Sequence, residues 1–331
     1  MIFSLHQDAT HQASPQHQPD QENLGRIRQV PNGTGPTWGT RGIRGWNESN
    51  HPLAASVPQQ VGPGILRVLA PNPGVMTGPG TNTYIITSSS EAAVVDPGPA
   101  DARHLEAIAS ALGGRKCTAI LLTHHHVDHV EGASRLGKLL GAPLAGYPSK
   151  LQVDIHLHDG SCLTVGGERD IVAVHTPGHA SDHLCFLIYS SGIVLTGDHL
   201  MGGNTSVIAP PDGNMGQYVR SLQKLKDMNP RYALPGHGQP LPDPIEAIEW
   251  YVQHRMEREA AILGVLASQM NKCWTIQDIV EVVYKDVPPS AHKIAQYSVW
   301  AHLLKLEEEG RVRALGEEGL QSLWQLTQNP T

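Results

Sequence analysis

Long apolar runs are missing from this chain, and no stretch approaches the roughly 20 apolar residues that cross a bilayer. The opening MIFSLHQDATHQ also lacks the charged-then-apolar order of a secretory signal. The expectation is an unprocessed cytoplasmic protein with no membrane attachment. The four cysteines, Cys117, Cys162, Cys185 and Cys273, stand far apart with no CxxC pair. That excludes a disulfide framework and a thiolate zinc site, and it suits a reducing compartment. Each reads as a small buried apolar residue rather than a reactive thiol. A basic excess is missing too. At a net charge of −7 there is no reserve of Lys and Arg for phosphate recognition, which argues against a dedicated nucleic-acid binder. A nuclease that draws phosphate in with metal ions stays open.

At 331 residues, 40% of them hydrophobic, the chain has material for a full core and exceeds one average domain, so a catalytic body with a smaller appendage is expected. Residues 1–60 are rich in Gln, His, Pro, Asn and Gly without an apolar period and read as a flexible extension. From residue 61 to 245, short β-rich runs (65–70, 83–87, 92–96, 118–123, 171–175, 184–189, 192–198) are separated by Gly and Pro. Helical patterns at 101–112, 131–140 and 215–228 lie among them, which predicts a layered α/β body. Residues 246–331 turn helical. A long helix runs from 244 towards 271, and a second opens with Thr275 as N-cap and Asp278 at N3. A third spans about 291–309, ahead of two short strands at 311–315 and 322–326. The order of helices followed by a wing resembles a winged-helix module. Residues 245–331 hold eight basic and twelve acidic side chains, so this module is expected to serve a structural or homodimerising duty rather than to grip nucleic acid.

The chemistry concentrates in THHHVDH at 123–129. An apolar strand runs into His124, His126, Asp128 and His129; the first two share one side of an extended stretch, and the latter two diverge as the chain turns into a helix. Imidazole and carboxylate at this density suit Zn²⁺ first, with Fe or Mn as alternatives. One motif does not close two metal shells. Three later residues, each behind an apolar run and beside glycine, supply candidates: His179 in TPGH, Asp198 in LTGD and His237 in LPGHG. Glycine lets backbone approach closely, and strand ends make rigid mounts.

These motifs resemble the metallo-β-lactamase superfamily over roughly residues 64–245, which implies an αββα sandwich with metals at one edge of the two sheets. The resemblance implies that His124, His126 and His179 bind one zinc ion, that Asp128, His129 and His237 bind a second, and that Asp198 bridges them. A hydroxide between the metals would be the nucleophile, with Asp128 and Asp198 as catalytic carboxylates. Asp96, ending the strand AAVVD, matches a family position that orients the metal-binding loop; a turn-forming Asp before Pro-Gly is the plainer reading. His125, His183 and His199 adjoin ligand positions without filling them. His183 and His199 are read as supporting residues, with proton supply to a leaving group as a further option. In the loop after Asp198, Asn204, Thr205 and Ser206 are candidates to hydrogen-bond substrate, against the alternative of a solvated turn.

Within the superfamily, NPG at 72–74, GTNTY at 80–84, the TPGHASDH stretch and the winged module are similar to the lactamase-beta-like-2 group. That group includes single-strand endoribonucleases and polyketide thioesterases. The resemblance does not fix the activity; a dinuclear zinc hydrolase acting on a small-molecule thioester or ester is the expectation, because an acidic-to-neutral surface and a hydroxide nucleophile suit it. Single-strand endoribonuclease, mononuclear iron dioxygenase and β-lactamase side activity are the alternatives. Residues 61–244 carry twelve basic against fifteen acidic side chains, which disfavours an RNA channel.

Overall fold

The computed structural model describes residues 54–317 and 319–327. The expected extension over residues 1–60 therefore lies mostly outside the described residues, and its last three positions belong to a strand. In chain order the first half comprises β1 (Pro58–Gly62), β2 (Ile65–Leu69), β3 (Asn82–Thr87), β4 (Glu91–Val95), α1 (Ala102–Ala111), β5 (Lys116–Leu121), α2 (Val127–Val130), α3 (Ala133–Leu140), β6 (Leu144–Gly146) and β7 (Ile155–His156). These seven strands form one sheet in sequential order, antiparallel from β1 to β4 and parallel from β4 to β7. The second half adds β8 (Cys162–Val165), β9 (Arg169–His175), β10 (Leu184–Ile188), β11 (Ile193–Gly197), α4 (Met215–Asp227) and β12 (Tyr232–Pro235). Its sheet runs β12-β11-β10-β9-β8, with β12 parallel to β11 and the rest antiparallel.

Period-two alternation assigns the layers. In β3, Tyr84 and Ile86 enter the cluster between the sheets, while Ile85 faces α1 and α3 beside Leu105, Ile108 and Leu136. In β10, Leu184, Phe186 and Ile188 face the inter-sheet cluster; Cys185 and Leu187 face α4, with Tyr218, Leu222 and Leu225. Strands buried on both faces read as continuous apolar runs, which explains why they stand out in the sequence. The result is helix, sheet, sheet, helix. Two of the parallel pairs, β4 with β5 and β11 with β12, end on loops that carry the candidate residues Asp96, His124, Asp198 and His237. Strand ends of this kind leave room for a ligand outside the sheet.

The C-terminal part comprises α5 (Pro244–Ser268), β13 (Trp274–Thr275), α6 (Ile276–Val283), α7 (His292–Glu308), β14 (Val312–Leu315) and β15 (Leu323–Leu326). Asp243 caps α5 by accepting from the Glu246 amide, with Pro244 in the first turn. α6 opens on a capping box in which Thr275 and Asp278 exchange hydrogen bonds, as the sequence predicts. Helix α5 serves two cores. Ala247, Ile248 and Tyr251 pack with α4, and Ile262, Val265 and Leu266 pack with Ile279, Leu303, Trp324 and their neighbours. The expected wing gains a third strand, β13, in the order β13-β15-β14.

Strands β1, β6, β7, β8 and β12 have no counterpart among the runs read from the sequence; β6 and β7 span three and two residues, too short for alternation to register. Cys117 and Cys185 are buried as expected, and burial pushes their thiols up to about 11 and about 12. Cys162 and Cys273 are exposed instead. The former lies on β8, an edge strand that pairs on one side only, and the latter in the turn before β13. Among the described residues no helix is long and apolar enough to cross a membrane.

Candidate metal centre

The apolar strand β5 delivers His124 and His126 just past its end, and the chain then turns into α2, carrying Asp128 and His129. His179 follows β9, Asp198 follows β11 and His237 follows β12. The structure brings all seven together. His124, His126 and His179 form one group whose donor atoms lie within 4.8 Å of one another; His124, His129 and Asp198 form another, and Asp128, His129 and His237 a third. The turn that carries His237 is held by Asn82, whose amide donates to the Pro235 and Gly238 carbonyls at 3.0 and 2.9 Å. Gly236 is required by close approach: a Cβ there would stand 2.8 Å from His129 Cε1 and 2.9 Å from Asp198 Oδ1.

Surrounding acceptors fix which ring nitrogens carry hydrogen. His129 Nδ1 lies 2.8 Å from Asp96 Oδ2, and His237 Nδ1 lies 3.2 Å from the Gly80 carbonyl. Carboxylate and carbonyl oxygens only accept, so both Nδ1 atoms donate and, in the neutral rings, both Nε2 atoms present lone pairs. Those two Nε2 atoms are 3.2 Å apart. The same holds for the other group. His179 Nδ1 donates to the Val207 carbonyl at 2.7 Å. The Thr123 hydroxyl donates to Asp96 Oδ2 at 2.7 Å and so accepts from His124 Nδ1 at 2.9 Å. Nε2 of His124 and of His179 then both point lone pairs at His126 Nδ1, at 2.9 and 3.0 Å, and one nitrogen offers a proton to one of them at most. Buried Asp198 Oδ1 has no hydrogen-bond partner. Converging lone pairs and an orphaned carboxylate oxygen fit divalent cations, and the outer bonds fix the tautomer of each donor ring.

Electrostatics divide the donors into two groups. Burial, together with the His179 and His125 rings, brings His126 down to about 4. Burial would depress His237 as well, yet Asp198 and Asp128 override it and raise the ring to about 9; His129 is raised for the same reason by Asp198 and Asp96. Burial acts to raise Asp198, but the His237 and His129 rings hold it well below the usual carboxylate range.

Asp96 contacts both the strand end that leads to His124 and the His129 ring. It sits in the left-handed region (φ 48°), and its carboxylate accepts from the Thr123 amide, the Thr123 hydroxyl and His129. His125 turns away, pairing with Asp182 at 2.9 Å. A cavity of about 540 Å³ opens onto His126, Asp128, His179 and Asp198. His183 accepts the Asp198 backbone N–H at 3.2 Å and reaches the Thr176 hydroxyl at 2.9 Å; His199 packs on Tyr218. Both rings are fully buried and neither lines that cavity, so they are not positioned to hand a proton to a leaving group. Asn204, Thr205 and Ser206 do line it, but Ser206 is buried and its hydroxyl oxygen lies on the acceptor side of His179 Nδ1, 3.2 Å away.

The remaining walls of the cavity include Met201 and Val207 of the loop, Trp250, His254, Arg255 and Arg258 of α5, and Tyr284, Ile294 and Ala295 beyond it. Sequence reading missed this wall. No local motif marks it, because it arises from the packing of α5 and α7 against the α/β body.

Residues 76–237 match the metallo-beta-lactamase superfamily, and residues 275–324 match the beta-lactamase associated winged helix domain. A beta-lactamase-like protein 2 homolog from Drosophila melanogaster is 33% identical over 75% of this chain and 89% of its own length. An atrochrysone carboxyl ACP thioesterase from Aspergillus chevalieri is 32% identical over 72% of this chain and 78% of its own. Among solved structures, a beta-lactamase domain protein from Burkholderia ambifaria superposes with a TM-score of 0.72 at 18% identity, covering 84% of this chain and 96% of that one. A metallo-beta-lactamase family protein from Thermus thermophilus gives 0.67 at 22%, covering 81% and 100%. These two carry the same fold. With donor residues gathered where the fold ends its strands, and relatives that span most of its length, the chain belongs to the metallo-beta-lactamase superfamily of metal-dependent hydrolases and carries the winged helix domain associated with it.

Proposed function

We propose that the chain is a dinuclear zinc hydrolase of small-molecule thioesters or esters. Residues 61–245 would form the catalytic unit, and 246–331 an appended unit that helps wall its cavity. His124, His126 and His179 would hold one ion; Asp128, His129 and His237 would hold the other; Asp198 would serve both. The observation that carries this reading is the set of lone pairs fixed to converge by Asp96, Gly80, Thr123 and Val207. Divalent ions at such a site supply Lewis acidity and a water acidic enough to ionise near neutral pH.

The chain's own residues do the rest. Asp128, about a quarter exposed, and Asp198 both face the cavity, where their carboxylates can orient the attacking water and accept its proton. Asp96 holds His129 by Nδ1, and Ser206 braces His179. The thioester preference is supported by relatives named as atrochrysone carboxyl ACP thioesterases and by the apolar wall of the cavity. The acidic balance of the appended unit weighs against RNA. A panel of acyl thioesters, esters, lactones, β-lactams and single-stranded RNA, assayed with Zn²⁺, Mn²⁺ or Fe²⁺, tests it. Thioester or ester turnover that chelator abolishes is expected; turnover of RNA alone would overturn the substrate assignment.

A further inference from the structure

The cavity that holds the metal-facing donors also holds two guanidinium groups with no carboxylate partner. Arg255 is 3% exposed, its Nε has no hydrogen-bond partner, and no acidic side chain lies within ion-pair distance of it or of Arg258 among the described residues. Glu259, next to Arg258, is committed elsewhere, to Lys305 at 2.8 Å, Arg311 at 3.5 Å and His302 at 3.6 Å. Asp212, the one acid lining the cavity besides Asp128 and Asp198, is paired with Lys150. A buried cation without a counter-charge is costly. The fold holds this pair firmly nonetheless. Arg255 donates to the Ser206 carbonyl and lies 5.3 Å over the Tyr218 ring; Arg258 donates to the Val283 carbonyl at 2.9 Å and lies 4.5 Å over the Tyr284 ring. The two carbonyls take one N–H of each guanidinium, and both side chains line the cavity. His254, stacked on Trp250, adds no compensating charge.

Their position relative to the donors is fixed by Ser206, which touches His179 through its hydroxyl and Arg255 through its carbonyl. Arg258 follows one helical turn further along α5. Between and around them the wall is apolar and aromatic, with Met201, Val207, Trp250, Tyr284 and Ile294.

We propose that Arg255 and Arg258 form an oxyanion subsite of the cavity, so that the substrate carries a carboxylate or phosphate group separated by an apolar segment from the carbonyl that is cleaved. This rests on the reading of the cavity as the substrate site. Planar guanidinium pairs suit such anions because their donors match two oxygens at once. The subsite sets specificity; it takes no part in bond breaking.

Calorimetric titration of the zinc-loaded protein tests it without relying on turnover. Succinate, adipate and suberate are compared with butyrate, hexanoate and octanoate, and the phosphonate-ended analogue of hexanoate distinguishes a phosphate from a carboxylate preference. At least one doubly anionic ligand is expected to bind roughly tenfold tighter than its singly anionic counterpart, as charge-assisted pairing allows. Arg258→Gln should remove that advantage while leaving the singly anionic ligands unaffected, and Arg258→Lys should keep part of it. Equal binding of both series to the wild type would overturn the proposal, as would an Arg258→Gln protein that loses both alike. If the advantage persists in a protein that hydrolyses no ester or thioester, the subsite stands and the hydrolase assignment falls. Hydrolysis without the advantage leaves the hydrolase assignment standing and removes the subsite.

Discussion

His129 and His237 face each other through Nε2 atoms 3.2 Å apart, each with its Nδ1 hydrogen already given to an oxygen, on Asp96 and Gly80 respectively. Two lone pairs at that separation repel unless a cation or a proton lies against them. A metal resolves the conflict, and so does a proton held on one ring; the two compete for the same place.

That competition has a sign. Without a cation, Asp198 and Asp128 outweigh burial and raise His237 to about 9, so near neutral pH the ring holds a proton that metal must displace. Zinc affinity should therefore climb as pH rises towards about 9, by up to roughly tenfold per pH unit for each proton released. Calorimetry in buffers of different ionisation enthalpy checks it: proton release on zinc uptake is expected, and uptake with none would contradict a His237 ring that holds a proton near neutral pH.

Asp96 gives a second prediction. In Asp96→Asn the amide loses one of the acceptors now used by Thr123 and His129, so His129 no longer has a fixed tautomer. Metal affinity should fall by about 10–100-fold, as is typical when an outer hydrogen bond to a ligand is lost. Competition with a chromophoric chelator measures the change. Unaltered affinity would return Asp96 to the status of a turn residue.

Gly236→Ala should act through sterics alone. Its Cβ would meet His129 and Asp198 inside 3 Å, and overpacking of this kind costs about 1–3 kcal/mol. The expected protein is folded but binds less metal, read by denaturant unfolding alongside metal analysis. Full metal content with wild-type stability would show that the donor cluster has room to spare around Gly236.

Acid should destabilise the fold before its carboxylates titrate. Burial pulls His104 down to about 4 and His254 down to about 3, the latter aided by Arg255 and Arg258. Both groups titrate below the unfolded value near 6.5, so they leave stability intact above that pH and lose it as pH falls. For His104 the loss amounts to up to about 3 kcal/mol by the time its folded value is reached. His254→Phe, which retains a flat ring against Trp250, should flatten part of the slope in urea midpoints between neutral and acid pH. An unchanged slope would show that His254 does not contribute to it.

Much of the site was legible in the sequence because each donor follows an apolar strand and three of the seven sit beside glycine. THHHVDH, TPGH, LTGD and LPGHG name seven residues that the fold gathers at the ends of β5, β9, β11 and β12. The choice between the two readings of Asp96 was not legible, since it depends on which residues reach its carboxylate across β4 and β5. The buried roles of His183 and His199 were hidden for the same reason: adjacency in sequence to Asp198 or His179 says nothing about which side of the strand faces the cavity. Least visible was the wall formed by Trp250, Arg255, Arg258 and Tyr284. It depends on how α5 bridges two cores, a long-range packing outcome with no local signature.

Metal analysis of the protein purified without added metal or chelator bears most directly on the central claim that these seven residues hold two divalent ions. Two zinc ions per chain are predicted, with bound metal lost and hydrolysis abolished in Asp198→Ala while the core around Trp274 and Trp324 stays folded. A single iron with no zinc, or an Asp198→Ala protein that keeps both metals and full activity, would contradict it.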